Sequence, residues 1–350
     1  MELGSSYDLD VNRIKYSAHN ILEYIHDRKA FYTDSGRSAI RFFALGADRG
    51  KVLLPEYICK SVIDCFADDF EIDYYKLNDK LEIDEEDLGG RLDNTVQIVY
   101  IMHYFGWLQR KEVLESILKR KQDYHYIIVE DVTHCFFTCR GSIGDYQICS
   151  LRKWVPIPDG GVLYSKNYSL PRYEIKQEAD TSIITEAMLL KHMYINNGID
   201  CNSIYRNKFE CYENRLNQQT QIYNISEMSS VLLRCFDVNA ISQQRKENWN
   251  YIYNALRNTK LLLLNDNYAD DFVPFSFPVI IEDRDGFRSY LMEHNIYCAV
   301  HWPIETEEQR RFETSRYISE HILSLPIDQR YGIEELDYMI KVIVDYYKCL

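Results

Sequence analysis

The stretch DYQICSLRKWVPIPDGG, residues 145–161, follows YIIVEDVTH, residues 126–134, after ten intervening residues. Each stretch opens on an apolar run short enough for a strand and then turns polar. Tyr126–Glu130 leads to Asp131, and Asp145–Ser150 leads through Leu151 and Arg152 to Lys153. Seven residues after Lys153 comes the pair Gly160–Gly161, with two prolines between, a composition that forces irregular backbone before the next apolar run, Gly161–Tyr164. Working outward, further strand-sized runs occur at Lys51–Leu54, ended by Pro55, and at Val96–His103. Short apolar runs alternating with helical patterns predict βαβ units and a mostly parallel sheet. In such sheets ligands collect at the carboxyl ends of strands, so Asp131, Ser150 and the residues just after them are the candidates for chemistry.

Bulk properties narrow the function classes. A chain of 350 residues is long enough for a large core and two domains. The formal charge of −14 argues against a nucleic-acid binder and leaves room for a local cationic pocket. Apolar runs such as Ile127–Val129 and Leu261–Leu264 are far too short to span a bilayer, so no membrane association is expected. The start MELGSSYDLD has neither a basic nor an apolar stretch, and the ten cysteines include no C-x-x-C pair. The expectation is a cytoplasmic protein with reduced thiols and no metal site.

Residues 166–224 read as a polar, mostly helical region, and Ser226 to about Asn258 as one or two long helices. Beyond them, Phe275–Ile281 reads as a strand, Arg284–His294 as a helix, Tyr297–His301 as a strand and Ile333–Tyr347 as a final helix. The expected organisation is a large domain over residues 15–240 and a smaller C-terminal α/β domain over 241–350, with residues 1–14 packing on the latter.

Several residues carry two readings. Asp34-Ser35-Gly36-Arg37-Ser38 opens a helical pattern; it is either an ordinary capped helix or a phosphate site at a helix N-terminus. Asp131 is either a cap for the next turn or an acceptor for a ring N–H, and His134 is either satisfied by backbone or set against that ring. Lys153 is either a solvated loop lysine or an amine projecting into a cleft. The ordered combination of a strand-tip acid and a lysine after the next strand is what pyridoxal 5′-phosphate (PLP) requires. The lysine forms a Schiff base with its aldehyde, and the carboxylate keeps its pyridine nitrogen protonated.

Taken in order, these pieces resemble the fold-type-I PLP enzymes, and among them the sugar aminotransferases of the DegT/StrS-like family. Ser35-Gly36-Arg37-Ser38-Ala39-Ile40 resembles the family's S-G-T-x-A-L turn, Leu54-Pro55-Glu56-Tyr57 its P-x-Y segment, and His103-Tyr-Phe-Gly106 its H-x-Y-G. Glu130-Asp131-Val-Thr-His134 resembles E-D-A-A-H/Q, and Gly144–Gly161 resembles the stretch from G-D to the lysine and the G-G strand. Ser324-Leu-Pro-Ile327 followed by Gly332-Ile-Glu-Glu335 resembles its C-terminal signature.

The resemblance implies a fold-type-I α/β transferase, with a mostly parallel mixed sheet flanked by helices, acting as a homodimer. The expected reaction moves an amino group from an amino acid, glutamate by preference, to a keto sugar, by preference a nucleotide-linked one. It implies Lys153 as the Schiff-base lysine and proton shuttle, Asp131 at the pyridine nitrogen, His134 at the ring or its oxygen, and Gly36, Arg37 and Ser150 at the phosphate. Cys59 falls where relatives place an aromatic stacked on the ring, a role that a thiol does not fill. His301 lies at a segment near the substrate entrance. Ser150 and Lys153 are three apart where the family has five, although the offset from Lys153 to Gly160 is kept. Residues 221–228 put Asn224 where the family carries an arginine reaching the partner's site. Two other readings stay open: PLP chemistry on a different carbonyl or amino acid, and a relative without turnover that serves as a binding or regulatory protein.

Overall fold

The computed structural model describes residues 2–138, 141–259, 261–265 and 272–348. The chain packs as two compact units. One comprises Met1–Ser5, Arg49–Gly144 and Ala240–Leu350; the other comprises Ser6–Asp48 and Asp145–Asn239.

The first unit is built on four parallel strands in the order Glu71–Tyr75, Lys51–Pro55, Val96–Met102, Ile127–Asp131. Apart from its second residue, Val96–Met102 is buried along its whole length, as expected of a parallel strand covered on both faces. Helix Lys111–Tyr124 separates the last two strands and turns its buried Val113, Leu114 and Ile117 inward, one stripe at helical spacing. In the same unit Phe277–Ile280 pairs antiparallel with both Ile322–Leu325 and Leu262–Leu263. Helix Arg284–Glu293 and the final helix Ile333–Lys348 belong here as well; Leu336, Met339, Val342 and Ile343 form the buried stripe of the latter.

The second unit is an antiparallel meander. Lys29–Thr33 pairs with Gly161–Ser165, which pairs with Tyr146–Ser150. The registers Thr33↔Gly161 and Ser150↔Gly161 align three strand ends, and Thr33 leads directly into helix Gly36–Leu45. Phe31 stacks on Phe42 of that helix with ring centroids 4.0 Å apart. Residues 166–181 carry no helix. Then come helices Ser182–Asn197 and Asn202–Gln218, joined through Gly198 in the left-handed region at φ 67°.

All five strands anticipated in the first half of the chain are present, within a residue or two at each end. Strands that sequence reading did not anticipate include Ile322–Leu325, Lys29–Thr33 and Glu71–Tyr75; the last two carry polar or partly exposed residues and lack a clean alternation. The expected strand Tyr297–His301 is corrected: the ladder covers only Ile296–Tyr297, against Leu3–Gly4, after which Ala299 makes a single bridge to Ser324. Changing partner after two residues ends the strand. The region from Ser226 divides into helices Glu227–Leu232 and Val238–Leu256.

Candidate active site

In the first unit the site residues gather after the strand Ile127–Asp131. Asp131 is 6% exposed, and its two carboxylate oxygens accept from different donors: the Tyr100 hydroxyl at 2.9 Å and the Thr133 backbone N–H at 2.9 Å. Tyr100 lies on the neighbouring strand, and burial followed by the Asp131 charge pushes its phenol well above the ordinary value, so it remains a donor. The adjacent Glu130, also buried, turns the other way. It accepts from Ile143 N–H at 3.1 Å and Gly144 N–H at 2.7 Å, and lies 3.1 Å from His103 Nε2. Because Gln109 N–H donates to His103 Nδ1 at 3.0 Å, Nε2 carries the proton toward Glu130. The Glu-Asp pair thus divides its partners: Glu130 binds Ile143 and Gly144, and Asp131 binds Tyr100 and Thr133.

His134 is fully buried. Its ring stacks on Phe275 (centroids 4.1 Å apart, 12°), lies nearly parallel to Trp302 at 5.1 Å, and is 5.1 Å from the His301 ring. His301 Nδ1 lies 2.9 Å from the Ser324 hydroxyl. Tyr57 clamps this segment: its hydroxyl donates to the His301 carbonyl and accepts from Trp302 N–H at 2.7 Å. Cys59 is the N-cap of the short helix Lys60–Ile63, with its sulfur 3.1 Å from the Ser61 hydroxyl. Glu56, between the β-strand end and Tyr57, is buried; burial pushes its carboxyl up to about 7, although Leu77 N–H donates to it at 2.9 Å.

In the second unit, Ser35 caps helix Gly36–Leu45, its hydroxyl accepting from Ser38 N–H at 3.2 Å. The first-turn N–H groups of such a helix have no intrahelical acceptor and attract anions. Ser150 lies directly against this turn. A Cβ added at Gly36 would come 3.1 Å from the Ser150 Cβ. Gly160 sits at φ 142°, a backbone state suited to glycine, and donates to the Asp34 carbonyl at 2.7 Å. Gly161 approaches even more closely: a Cβ there would lie 2.2 Å from Ser35 C and O and 2.6 Å from Gly36 N. The two glycines therefore allow the strand to lie on the helix N-terminus, bringing Ser150, Gly36 and Arg37 into one place.

Lys153, half-buried, ends the single turn Leu151–Lys153 that follows Ser150. The neighbouring Arg152 makes a bidentate pair with Glu213 of helix Asn202–Gln218, Nη1–Oε1 2.8 Å and Nη2–Oε2 3.2 Å. Burial raises the Glu213 carboxyl, but Arg152, then Arg37 and Lys153, outweigh it and hold the group below its ordinary value. Asp159, fully buried, accepts from Ser226 N–H at 2.9 Å and Ser226 Oγ at 2.6 Å, and also from the Ser229 hydroxyl. It ties the Gly160–Gly161 loop to the segment holding Asn224. Asn224 itself is committed elsewhere: its side chain donates to the Ile175 carbonyl at 2.6 Å and its backbone N–H to Gln177 at 2.8 Å.

Each unit thus assembles its own share of the predicted residues: Asp131, His134 and His301 in one; Gly36, Arg37, Ser150 and Lys153 in the other. Sequence reading singled out none of Tyr100, Asp159 and Glu213, and Tyr57 only as part of the P-x-Y segment. Each works through a partner distant along the chain, from 31 residues for Tyr100–Asp131 to 244 for Tyr57–His301.

No family model matches the chain. It is 21% identical over 292 residues, 79% of this chain and 71% of the other, to the dTDP-3-amino-3,6-dideoxy-alpha-D-galactopyranose transaminase of Aneurinibacillus thermoaerophilus. Its structure is similar to the PLP form of the sugar aminotransferase Spr1654 from Streptococcus pneumoniae (TM-score 0.68, 13% identity, 97% of both chains). It is likewise similar to a DegT DnrJ EryC1 StrS aminotransferase from Brucella abortus (TM-score 0.63, 13% identity, 93% of this chain and 88% of the other). The fold is that of these aminotransferases, an α/β fold of type I with parallel and antiparallel strands flanked by helices. No helix among the described residues is long and apolar enough to cross a membrane, and no group of three or more His, Cys, Asp or Glu among them could hold a metal ion.

Proposed function

We propose that the chain is a PLP-dependent aminotransferase that moves an amino group from an amino acid, glutamate being the favoured donor, to a nucleotide-linked keto sugar. The donor set fits the cofactor. A buried carboxylate accepting two hydrogen bonds suits a pyridinium N–H, a half-buried lysine suits an aldehyde, and a capped helix N-terminus beside a serine suits a phosphate. When bound, PLP supplies an electron sink for the carbanion formed at the amino-bearing carbon.

In this reading Asp131 would hold the ring nitrogen protonated, and Tyr100 and Thr133 N–H orient that carboxylate. Gly36 and Arg37, through backbone N–H groups, and Ser150, through its hydroxyl, hold the phosphate. Lys153 would carry the cofactor through its amine and hold or release a proton at Nζ. His134, already stacked in an aromatic set, and Cys59 are assigned to the ring site, and His301 to the substrate side. The observation that carries the proposal is the turn Leu151–Lys153, which places a lysine one turn beyond a serine packed on a helix N-terminus. The engagement of Asn224 with residues 175–178 favours a second reading, the same cofactor chemistry on a different carbonyl substrate. Exposed Leu189 and Met193, four apart on helix Ser182–Asn197, support a homodimer burying that face.

The test is borohydride reduction of protein loaded with PLP, followed by peptide mass spectrometry. Mass added at Lys153 is expected. Cofactor on another lysine refutes the site, and no uptake refutes the class. Glutamate alone should then shift the visible absorbance of the loaded protein, and an unchanged spectrum would exclude glutamate as the donor.

A further inference from the structure

We propose that the Arg152–Glu213 ion pair is the positioning device for Lys153, bracing the turn that presents the lysine and setting the balance of charge around its amine. The inference rests on the reading of Lys153 as the cofactor lysine and adds to it two residues that no motif marks.

The brace follows from the geometry of the pair. Leu151–Lys153 is a single turn of three residues, in which only Leu151 is buried. Its backbone is tied at Leu151, whose N–H donates to the Gly160 carbonyl at 3.0 Å and whose carbonyl accepts from Trp154 N–H at 2.9 Å. The Arg152 side chain reaches out of the turn to a separate helix and makes two parallel hydrogen bonds, a planar fork that fixes orientation as well as distance. The residue so fixed is the immediate neighbour of Lys153.

The charge argument follows from the surroundings. Glu213 is the carboxylate on which Arg152, Arg37 and Lys153 all act. The other titratable groups acting on the pair are Asp34 and Tyr212, and Asp159 acts on Tyr212. Asp34 is buried and pushed up by that burial, and the Tyr212 phenol is raised for the same reason. Glu213 is thus an anion on which the lysine acts, and Arg152 pairs with it. Taking away the carboxylate should make the lysine easier to deprotonate. Taking away the guanidinium should free the carboxylate to pair with the lysine and make it harder to deprotonate. The Glu213 side chain is 43% exposed, so solvent screening limits each shift to roughly half a pH unit to one unit.

The experiment measures the pH dependence of Lys153 acetylation in cofactor-free protein by mass spectrometry, with the exposed Lys111 as internal reference. The Glu213→Gln variant should move the midpoint down and Arg152→Gln should move it up. Arg152→Lys, which keeps the charge and loses the fork, should leave the midpoint near that of the wild type but lower the yield of borohydride-fixed PLP on Lys153 severalfold. It also provides a milder variant should Arg152→Gln fail to fold. A purely structural pair would lower thermal stability in the variants without moving either midpoint, and that result overturns the inference. If the wild type takes up no PLP, the proposed function falls and the role of the pair falls with it. If it takes up PLP and the midpoints stay fixed, the pair alone is refuted.

Discussion

Substituting Gly161 by alanine should damage the phosphate turn far more than a one-carbon change suggests. The added Cβ would lie 2.2 Å from the Ser35 carbonyl carbon and oxygen and 2.6 Å from Gly36 N. Ordinary contact begins near 3.4 Å, so more than 1 Å of overlap must be relieved. The opposing atoms are backbone, so no rotamer change relieves it, and either the strand Gly161–Ser165 or the N-terminus of helix Gly36–Leu45 must move. Overpacking of this kind costs about 1–3 kcal/mol. With an unfolding entropy of about 2 cal/mol/K per residue, 3 kcal/mol corresponds to a fall of roughly 4 °C in Tm for a chain of this length, so urea titration is the better measurement. A displaced turn no longer aims its N–H groups at an anion, and PLP affinity should fall by about tenfold or more, equivalent to ~1.4 kcal/mol. Gly90→Ala is the control: nothing lies within 4 Å of its added Cβ, and a glycine-to-alanine change within helix Glu85–Arg91 should be neutral or stabilising by up to about 1 kcal/mol. A Gly161→Ala protein with the urea midpoint and PLP affinity of the wild type would refute the close-approach argument.

Lys153→Ala should abolish both the borohydride-fixed adduct and transamination; turnover at the rate of the wild type would remove Lys153 from the mechanism. Asp131→Asn keeps an acceptor for one of the Tyr100 and Thr133 hydrogen bonds, loses the other, and should cut turnover by orders of magnitude, because an amide cannot hold a pyridinium proton; an unchanged kcat would make Asp131 a structural cap. Tyr100→Phe removes one hydrogen bond to that carboxylate, a change of about 1.5–3 kcal/mol, and should lower kcat more than stability; the comparison of kinetics with urea unfolding decides it. Glu56, pushed from 4.5 up to about 7 by burial, binds its proton more tightly in the folded protein than in the unfolded chain. Its contribution to stability is therefore complete below about pH 4.5 and is lost as pH rises to about 7, on the order of 3 kcal/mol. Glu56→Gln should flatten that slope in urea titrations from pH 5 to 8, and an unaltered slope would rule out Glu56 as its source.

Much of the candidate site was legible because its residues are tied to strand ends. Asp131 and Ser150 each close an apolar run, and Gly160–Gly161 announces an irregular close approach, so local pattern alone located them. Asn224 was legible as a position: standing where the resemblance expects an arginine, it implied a weakened reach toward the partner's site, and the fold engages its amide with the Ile175 carbonyl. The strand Lys29–Thr33 was missed because its faces are only partly buried, and periodicity reports burial rather than pairing.

What the sequence by itself determined is the set of local commitments. These are the order of strands and helices, the cap at Ser35, the acid at one strand tip and the lysine after the next, and with them the resemblance that points to PLP. What only the tertiary structure decided is which distant groups complete those commitments: Tyr100 on Asp131, Asp159 on Ser226 and Ser229, Glu213 on Arg152. Hydrogen bonds and ion pairs depend on separation in space to within a few tenths of an ångström. Partners 31 to 70 residues apart along the chain leave no periodic trace in it, so their pairing is settled only when strands and helices pack.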